Sequence, residues 1–196
     1  MDGYLELILG PMFSGKTTEL IQHYKKYTYI GKRVIVINYA EDKRYHDEML
    51  STHDKIMIPC NFATTLGELW PQMADEYDVI IINEGQFFAD LYEVVLDMVE
   101  QKNKTVYICG LDGDFKRQKF GKILDLIPYA DTVTKLNSLC SLCKDGKAGL
   151  FSHRITQETS QVVIGSDNYM PVCRGCYRKC NGNIVDERNP HYIYKP

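Results

Sequence analysis

The chain has 196 residues, 44% of them hydrophobic and 25% charged, with a formal net charge of -3. This suits one globular domain with room for a small appended module. The slight negative charge argues against a nucleic-acid partner, which selects a basic face. The longest aliphatic runs, 34–37 and 79–82, hold four residues each, far short of the roughly 20 that cross a membrane. The opening Met1-Asp2-Gly3-Tyr4 has neither a basic flank nor a cleavable apolar stretch, so a cytoplasmic chain is expected. In a reducing compartment the seven cysteines suit metal ligation better than disulfides.

Leu5 to Leu9 reads as a strand and Gly10 to Lys16 as a loop. A helix is expected from Thr17 to Ile30, ended by Gly31. Val34 to Asn38 is a second, buried strand, and the polar stretch Ala40 to Asp54 reads as a long loop. A short helix interrupted by Pro71 is expected over 65–73, then a third buried strand at Val79 to Ile82. Leu91, Val94, Val95 and Met98 have helical spacing, and Thr105 to Cys109 forms another strand. Near-continuous aliphatic strands separated by helices indicate a parallel sheet with helices on both faces, an α/β fold. After Pro128 the helical patterns stop and short β-like pieces appear at Thr132 to Leu136, Gly149 to His153 and Gln161 to Ile164. The expected division is a P-loop α/β domain over 1–130 and a small β-rich module over 131–196 that needs a staple.

Gly10-Pro11-Met12-Phe13-Ser14-Gly15-Lys16-Thr17 fits G-x-x-x-x-G-K-[ST], between an apolar strand and a helix. Its glycines let backbone N–H groups turn onto a phosphate, and the helix adds its positive end. Lys16 supplies a point charge for the β- and γ-phosphates, and the Thr17 hydroxyl is placed for Mg²⁺. Ligands of open parallel sheets bind beyond the carboxyl ends of the strands. Val79 to Ile82 ends in Asn83 and Glu84, where P-loop enzymes place a metal-binding Asp. Glu84 is positioned to act as general base for a hydroxyl acceptor.

Together with the P-loop run through Thr18-Glu19-Leu20, the segments Glu84-Gly85-Gln86-Phe87-Phe88, Leu111-Asp112-Gly113 with Phe115, and two cysteine pairs resemble the cytosolic-type, zinc-containing thymidine kinases. The likeness runs from about Leu5 to Cys176 and is similar in length to the compact bacterial and large-DNA-virus members. It implies a RecA-like P-loop NTPase fold and transfer of the γ-phosphate of ATP to the 5′-hydroxyl of thymidine, and also of deoxyuridine, in nucleotide salvage. It further implies ATP and Mg²⁺ as cofactors, feedback by dTTP and a homotetramer. The resemblance assigns phosphate binding to the P-loop residues with Asn83, and catalysis to Glu84, Lys16 and Arg44. It assigns Mg²⁺ to Thr17, Asn83 and Asp42. Met12, Phe87, Leu111, Phe115, Phe120, Ser152, Val162 and Tyr169 match the thymidine pocket, with a base-reading loop at about Ile164 to Pro171.

Three features depart from the family pattern. Asn83 stands where an aspartate is usual, so it adds no charge to a Mg²⁺ site. Ile164 stands where glycine is common, and Cys143 to Phe151 is two residues longer than usual.

Cys140-Ser141-Leu142-Cys143 and Cys173-Arg174-Gly175-Cys176 are two C-x₂-C pairs separated by 29 residues. Four thiolates suit a closed, structural zinc site, with a redox pair as the alternative reading of either one. Cys180 is a substitute ligand or a bystander, Cys60 and Cys109 read as core, and His23, His46 and His53 read as surface. Two other functions remain at this point. One is an ATPase acting on nucleic acid through the zinc module, and the other is a nucleotide sensor without catalysis.

Overall fold

The computed structural model describes residues 2–41, 49–51, 56–163 and 165–181. In chain order the strands and helices are β1 (Tyr4–Leu9), α1 (Lys16–Tyr29), β2 (Val34–Tyr39), β3 (Met49–Ser51), β4 (Met57–Pro59), β5 (Asn61–Ala63), β6 (Val79–Ile82) and α2 (Leu91–Leu96). There follow β7 (Thr105–Gly110), β8 (Thr132–Lys135), β9 (Ser138–Leu139), β10 (Ala148–Gly149), β11 (Phe151–Arg154), β12 (Tyr169–Val172) and α3 (Arg174–Cys180).

Six strands form one sheet in the order β5-β2-β6-β7-β1-β8, and every neighbouring pair is parallel. Side chains alternate across a strand, and the core divides accordingly. Leu5, Leu7, Leu9, Ile80, Ile82, Val106 and Ile108 enter one apolar cluster with Leu91, Val95 and Met98 of the segment beginning at α2. Ile8, Val36, Ile81, Tyr107 and Cys109 enter the other, with Leu20 and Ile21 of α1. Helical segments therefore cover both faces, and burial explains the unbroken aliphatic runs. Each such side chain contributes about 1.5–3 kcal/mol when fully buried.

The parallel arrangement gathers the carboxyl ends of β1, β7 and β6 side by side, and this positions the site. Gly10 leaves β1 so close to the chain leaving the neighbouring strand β8 that a Cβ there would lie 2.5 Å from the Leu136 carbonyl oxygen. Gly15 has φ 84, the left-handed turn from which α1 starts, and only glycine adopts it at no steric cost.

Several elements differ from the sequence reading. The helix expected over 65–73 is a 3₁₀ turn, Leu66–Glu68, followed by further turns. The helix from Leu91 continues past Leu96 as a wider π turn over Asp97–Gln101. Met49–Ser51, expected in a loop, pairs antiparallel with Met57–Pro59, because Leu50 and Ile58 are buried. Thr132–Lys135, expected in the β-rich module, extends the main sheet by pairing with β1. Among the described residues, the rest of that module holds two short antiparallel pairs, β9 with β10 and β11 with β12. It also carries a helix, α3, which the sequence reading lacked. Tyr169 to Pro171, the end of the expected base-reading loop, lie in the strand Tyr169–Val172, whereas the described part of 161–164, expected as a strand, is not one. His23, expected at the surface, stacks on Tyr107 with ring centroids 4.0 Å apart, and burial lowers its pKa. Cys109 is fully buried, while Cys60 is partly exposed against the second cluster, and burial pushes its thiol up to about 12. His46, His53 and Ile164 lie outside the described residues.

Candidate active site

A cavity of about 340 Å³ opens at the carboxyl ends of β1, β6 and β7, a size suited to a small ligand. The P-loop forms one wall. Lys16 is buried, and its Nζ donates to the Pro11 carbonyl at 2.7 Å. The Ser14 hydroxyl donates to the same oxygen at 2.8 Å. These bonds curl the loop on itself and hold the lysine charge at its centre. Phe13 has φ 62, a left-handed conformation unusual for a residue with a side chain.

Glu84 lines the same cavity as the P-loop. It too is left-handed, with φ 54 and ψ 44, which costs a non-glycine residue roughly 1–2 kcal/mol. Such strain persists where surrounding contacts over-determine the backbone. One of those contacts comes from Gln86, a residue to which the sequence reading gave no role. Its Nε2 donates to Glu84 Oε2 at 2.6 Å, while its Oε1 accepts from the Leu111 N–H at 3.0 Å. Buried Gln86 is thus a strut between β6 and β7 that fixes the carboxylate.

Much of the remaining lining is aromatic or aliphatic. Phe87 meets Phe120 edge to face with centroids 5.4 Å apart, and Tyr39 stacks on Phe87 at 5.1 Å. Ser152 is buried, and its Oγ accepts from the Met12 N–H at 2.9 Å, tying the P-loop to β11. The structure brings Met12, Phe13, Ser14, Gly15, Lys16 and Thr17 to this cavity with Glu84. Phe87, Leu111, Phe115, Phe120, Ser152, Val162 and Tyr169 line it as well. Gly10 and Pro11 stand behind the loop as buried backbone. Tyr39, Asp114, Gln161 and Val163 also line it and were not anticipated. A recurrent sequence pattern marks none of these four, because each arrives through the fold. Arg44 and Asp42 lie outside the described residues.

Asn83 is not brought to the cavity wall. It is 2% exposed. Its Nδ2 donates to Asn38 Oδ1 at 2.9 Å, and its Oδ1 accepts from the Cys109 thiol at 3.0 Å. Both ends of the amide are engaged between β2 and β7.

The four cysteines of the two C-x₂-C pairs meet. Their sulfurs all lie within 4.8 Å of one another. Tetrahedral zinc with Zn–S bonds near 2.3 Å requires sulfur separations of about 3.8 Å, so the donor set fits that ion. The Cys173 sulfur, at the N-cap of α3, accepts from the Cys176 N–H. Burial raises the Cys140 thiol, but N–H donors from Cys143, Cys173 and Leu142 outweigh it and bring its pKa to about 6. Cys143 is raised by hydrogen bonding to the Cys176 and Cys173 sulfurs and by burial. Such a cluster resists a full set of thiolates without a cation. Cys180 is exposed and outside the group. From this cluster Tyr177 of α3 reaches a residue of the cavity wall, its hydroxyl donating to the Phe115 carbonyl at 2.7 Å.

Residues 3–177 match the family model for thymidine kinase. The chain is 42% identical over 183 residues to thymidine kinase 1 of Dictyostelium discoideum, covering 89% of this chain and 78% of that protein. It is 41% identical over 191 residues to the thymidine kinase of Oryza sativa subsp. japonica, with 94% and 69% covered. It is 43% identical over 180 residues to the thymidine kinase of Yaba monkey tumor virus (strain VR587), with 91% and 97% covered. The matched span contains the P-loop, the strained glutamate and the cysteine cluster, and on this agreement of sequence the chain belongs to the thymidine kinase family.

Proposed function

We propose that this chain transfers the γ-phosphate of ATP to the 5′-hydroxyl of thymidine, and also of deoxyuridine, in nucleotide salvage. The observation that carries this reading is that one cavity is lined by the phosphate loop, by a carboxylate held by Gln86 and by aromatic rings. The P-loop amides and Lys16 bind the triphosphate. Glu84 accepts the 5′-hydroxyl proton as the oxygen attacks in line. Phe87, Phe115, Phe120 and Tyr169 exclude water around the base. Thr17, which lines the cavity, would hold Mg²⁺, an ion that would neutralise phosphate charge there. The family resemblance adds Arg44 at the transferring phosphate, Asp42 beside the metal, dTTP as feedback ligand and a homotetramer. The cysteine cluster serves as a structural zinc site, since four sulfurs leave no position for a catalytic water. The module from residue 131 onward is read as the carrier of the nucleoside-binding loop.

The direct test is to incubate the protein with ATP, Mg²⁺ and each of the four deoxynucleosides and to assay for monophosphate. Product from thymidine is the expected result, and hydrolysis of ATP with no nucleoside monophosphate would overturn the reading. The role of position 83 is tested separately. Asn83 lies off the cavity wall with both ends of its amide bonded to Asn38 and Cys109, so Asn83→Asp is expected to leave the apparent Mg²⁺ affinity unchanged in a titration of rate against free Mg²⁺. A tightened affinity would place this side chain within reach of the metal, where a carboxylate adds the charge that an amide lacks.

A further inference from the structure

Arg154 ends β11 with 5% of its surface exposed. A buried guanidinium is costly unless its donors are satisfied. Here the backbone of one loop satisfies most of them. Nη1 donates to the Glu158 carbonyl at 2.9 Å and to that of Ser160, and Nη2 donates to the Gln161 carbonyl at 3.0 Å and to the Tyr169 hydroxyl. The guanidinium carbon lies 3.7 Å from the centroid of the Phe115 ring. Its Nε has no acceptor among the described residues, so its bonding is directed through the two terminal nitrogens.

The partners of Arg154 belong to the cavity, although Arg154 stands behind them. Gln161, Phe115 and Tyr169 line the wall, and so do Val162 and Val163. Tyr169 passes the contact on by donating to the Val163 carbonyl at 3.1 Å. From the other side Gln161 Nε2 donates to Asp114 Oδ2 at 2.9 Å, while Asp114 Oδ1 receives the N–H groups of Lys116 and Gln118. The carbonyls of Glu158, Ser160, Gln161 and Val163 are therefore engaged within the protein. This fixes the hydrogen-bonding face that the loop turns to the cavity. It also removes the cost of ordering the loop when a ligand arrives.

We propose that Arg154 is a positioning residue for the nucleoside, holding the 155–163 loop together with the Phe115–Tyr169 pair against which the base packs. The proposal rests on the kinase reading above and deepens it. The role requires a planar fork that reaches several carbonyls while its face stacks on a ring. A lysine ammonium has the charge without that shape.

The test uses the full zinc-loaded chain with Arg154→Met and Arg154→Lys, varying thymidine at saturating ATP and then ATP at saturating thymidine. The expected result for Arg154→Met is a thymidine KM raised about tenfold or more, with ATP KM within about twofold and kcat within about threefold, the signature of lost ground-state binding. Arg154→Lys should show a smaller rise of the same kind. It keeps the test decisive if the methionine variant does not fold, as thermal melting and zinc content will show. A thymidine KM unchanged in the folded variants, or an ATP KM rising in parallel, would overturn the role. If the parent protein phosphorylates no deoxynucleoside, the kinase reading fails and this proposal with it. An active parent with unshifted variants sinks Arg154 alone.

Discussion

Glu84→Gln is expected to lower kcat by about 10²–10⁴-fold, the range general-base catalysis supplies, while ATP affinity stays at the parent value. The separation follows from the geometry. In the proposed reaction the triphosphate is held by the loop after β1, whereas Glu84 stands at the end of β6 and is held by Gln86. A glutamine at position 84 keeps a carbonyl oxygen for the Gln86 donor, so the strut and the left-handed backbone persist and only the basic oxygen is lost. Single-turnover phosphorylation of thymidine, with ATP binding followed by calorimetry, distinguishes the two effects. A variant turning over at near the parent rate would remove Glu84 from the chemistry.

The second large effect is expected at the cysteine cluster. Cys140→Ser, or removal of metal by a strong chelator, should release zinc, lower the melting temperature and abolish thymidine binding. Among the described residues, the buried apolar cluster of the module is Cys140, Val172, Cys173 and Tyr177, two of which belong to the cysteine group. Binding of structural zinc is worth about 10–16 kcal/mol in small modules near neutral pH, far more than so small a core provides. The damage travels by a named path. Loss of the knot frees α3, α3 carries Tyr177, and Tyr177 holds the Phe115 carbonyl at the cavity wall. Zinc content by atomic absorption, melting and thymidine KM measure this together. A metal-free protein with the parent thymidine KM would show that the knot does not support the pocket.

Local chemistry made much of this protein legible in its sequence. The P-loop is a contiguous pattern because consecutive amides must face one phosphate, and Val79–Ile82 was readable as a strand because a strand buried on both faces is apolar throughout. The cysteine pairs announced their meeting through their spacing. Other features follow from contacts that no run of residues encodes. Gln161 and its valine neighbours have strand-forming composition, yet Arg154 takes the Gln161 carbonyl and Tyr169 that of Val163, which withdraws them from any ladder. Thr132–Lys135 joined the main sheet because β1 offered an open parallel edge, a fact about β1 and not about those residues. Asn83 reads as a metal neighbour from its place after β6, but Asn38 and Cys109, 45 and 26 positions away, claim both ends of its amide. The sequence by itself determined the phosphate loop, the apolar strands and the four thiols, because each depends on neighbours along the chain. Only the tertiary structure decided how Glu84 is strained and braced, what Arg154 holds, and how the cysteine cluster is tied through Tyr177 to the cavity wall. Those depend on side chains brought together across the fold, and their partners are fixed only when the chain has packed.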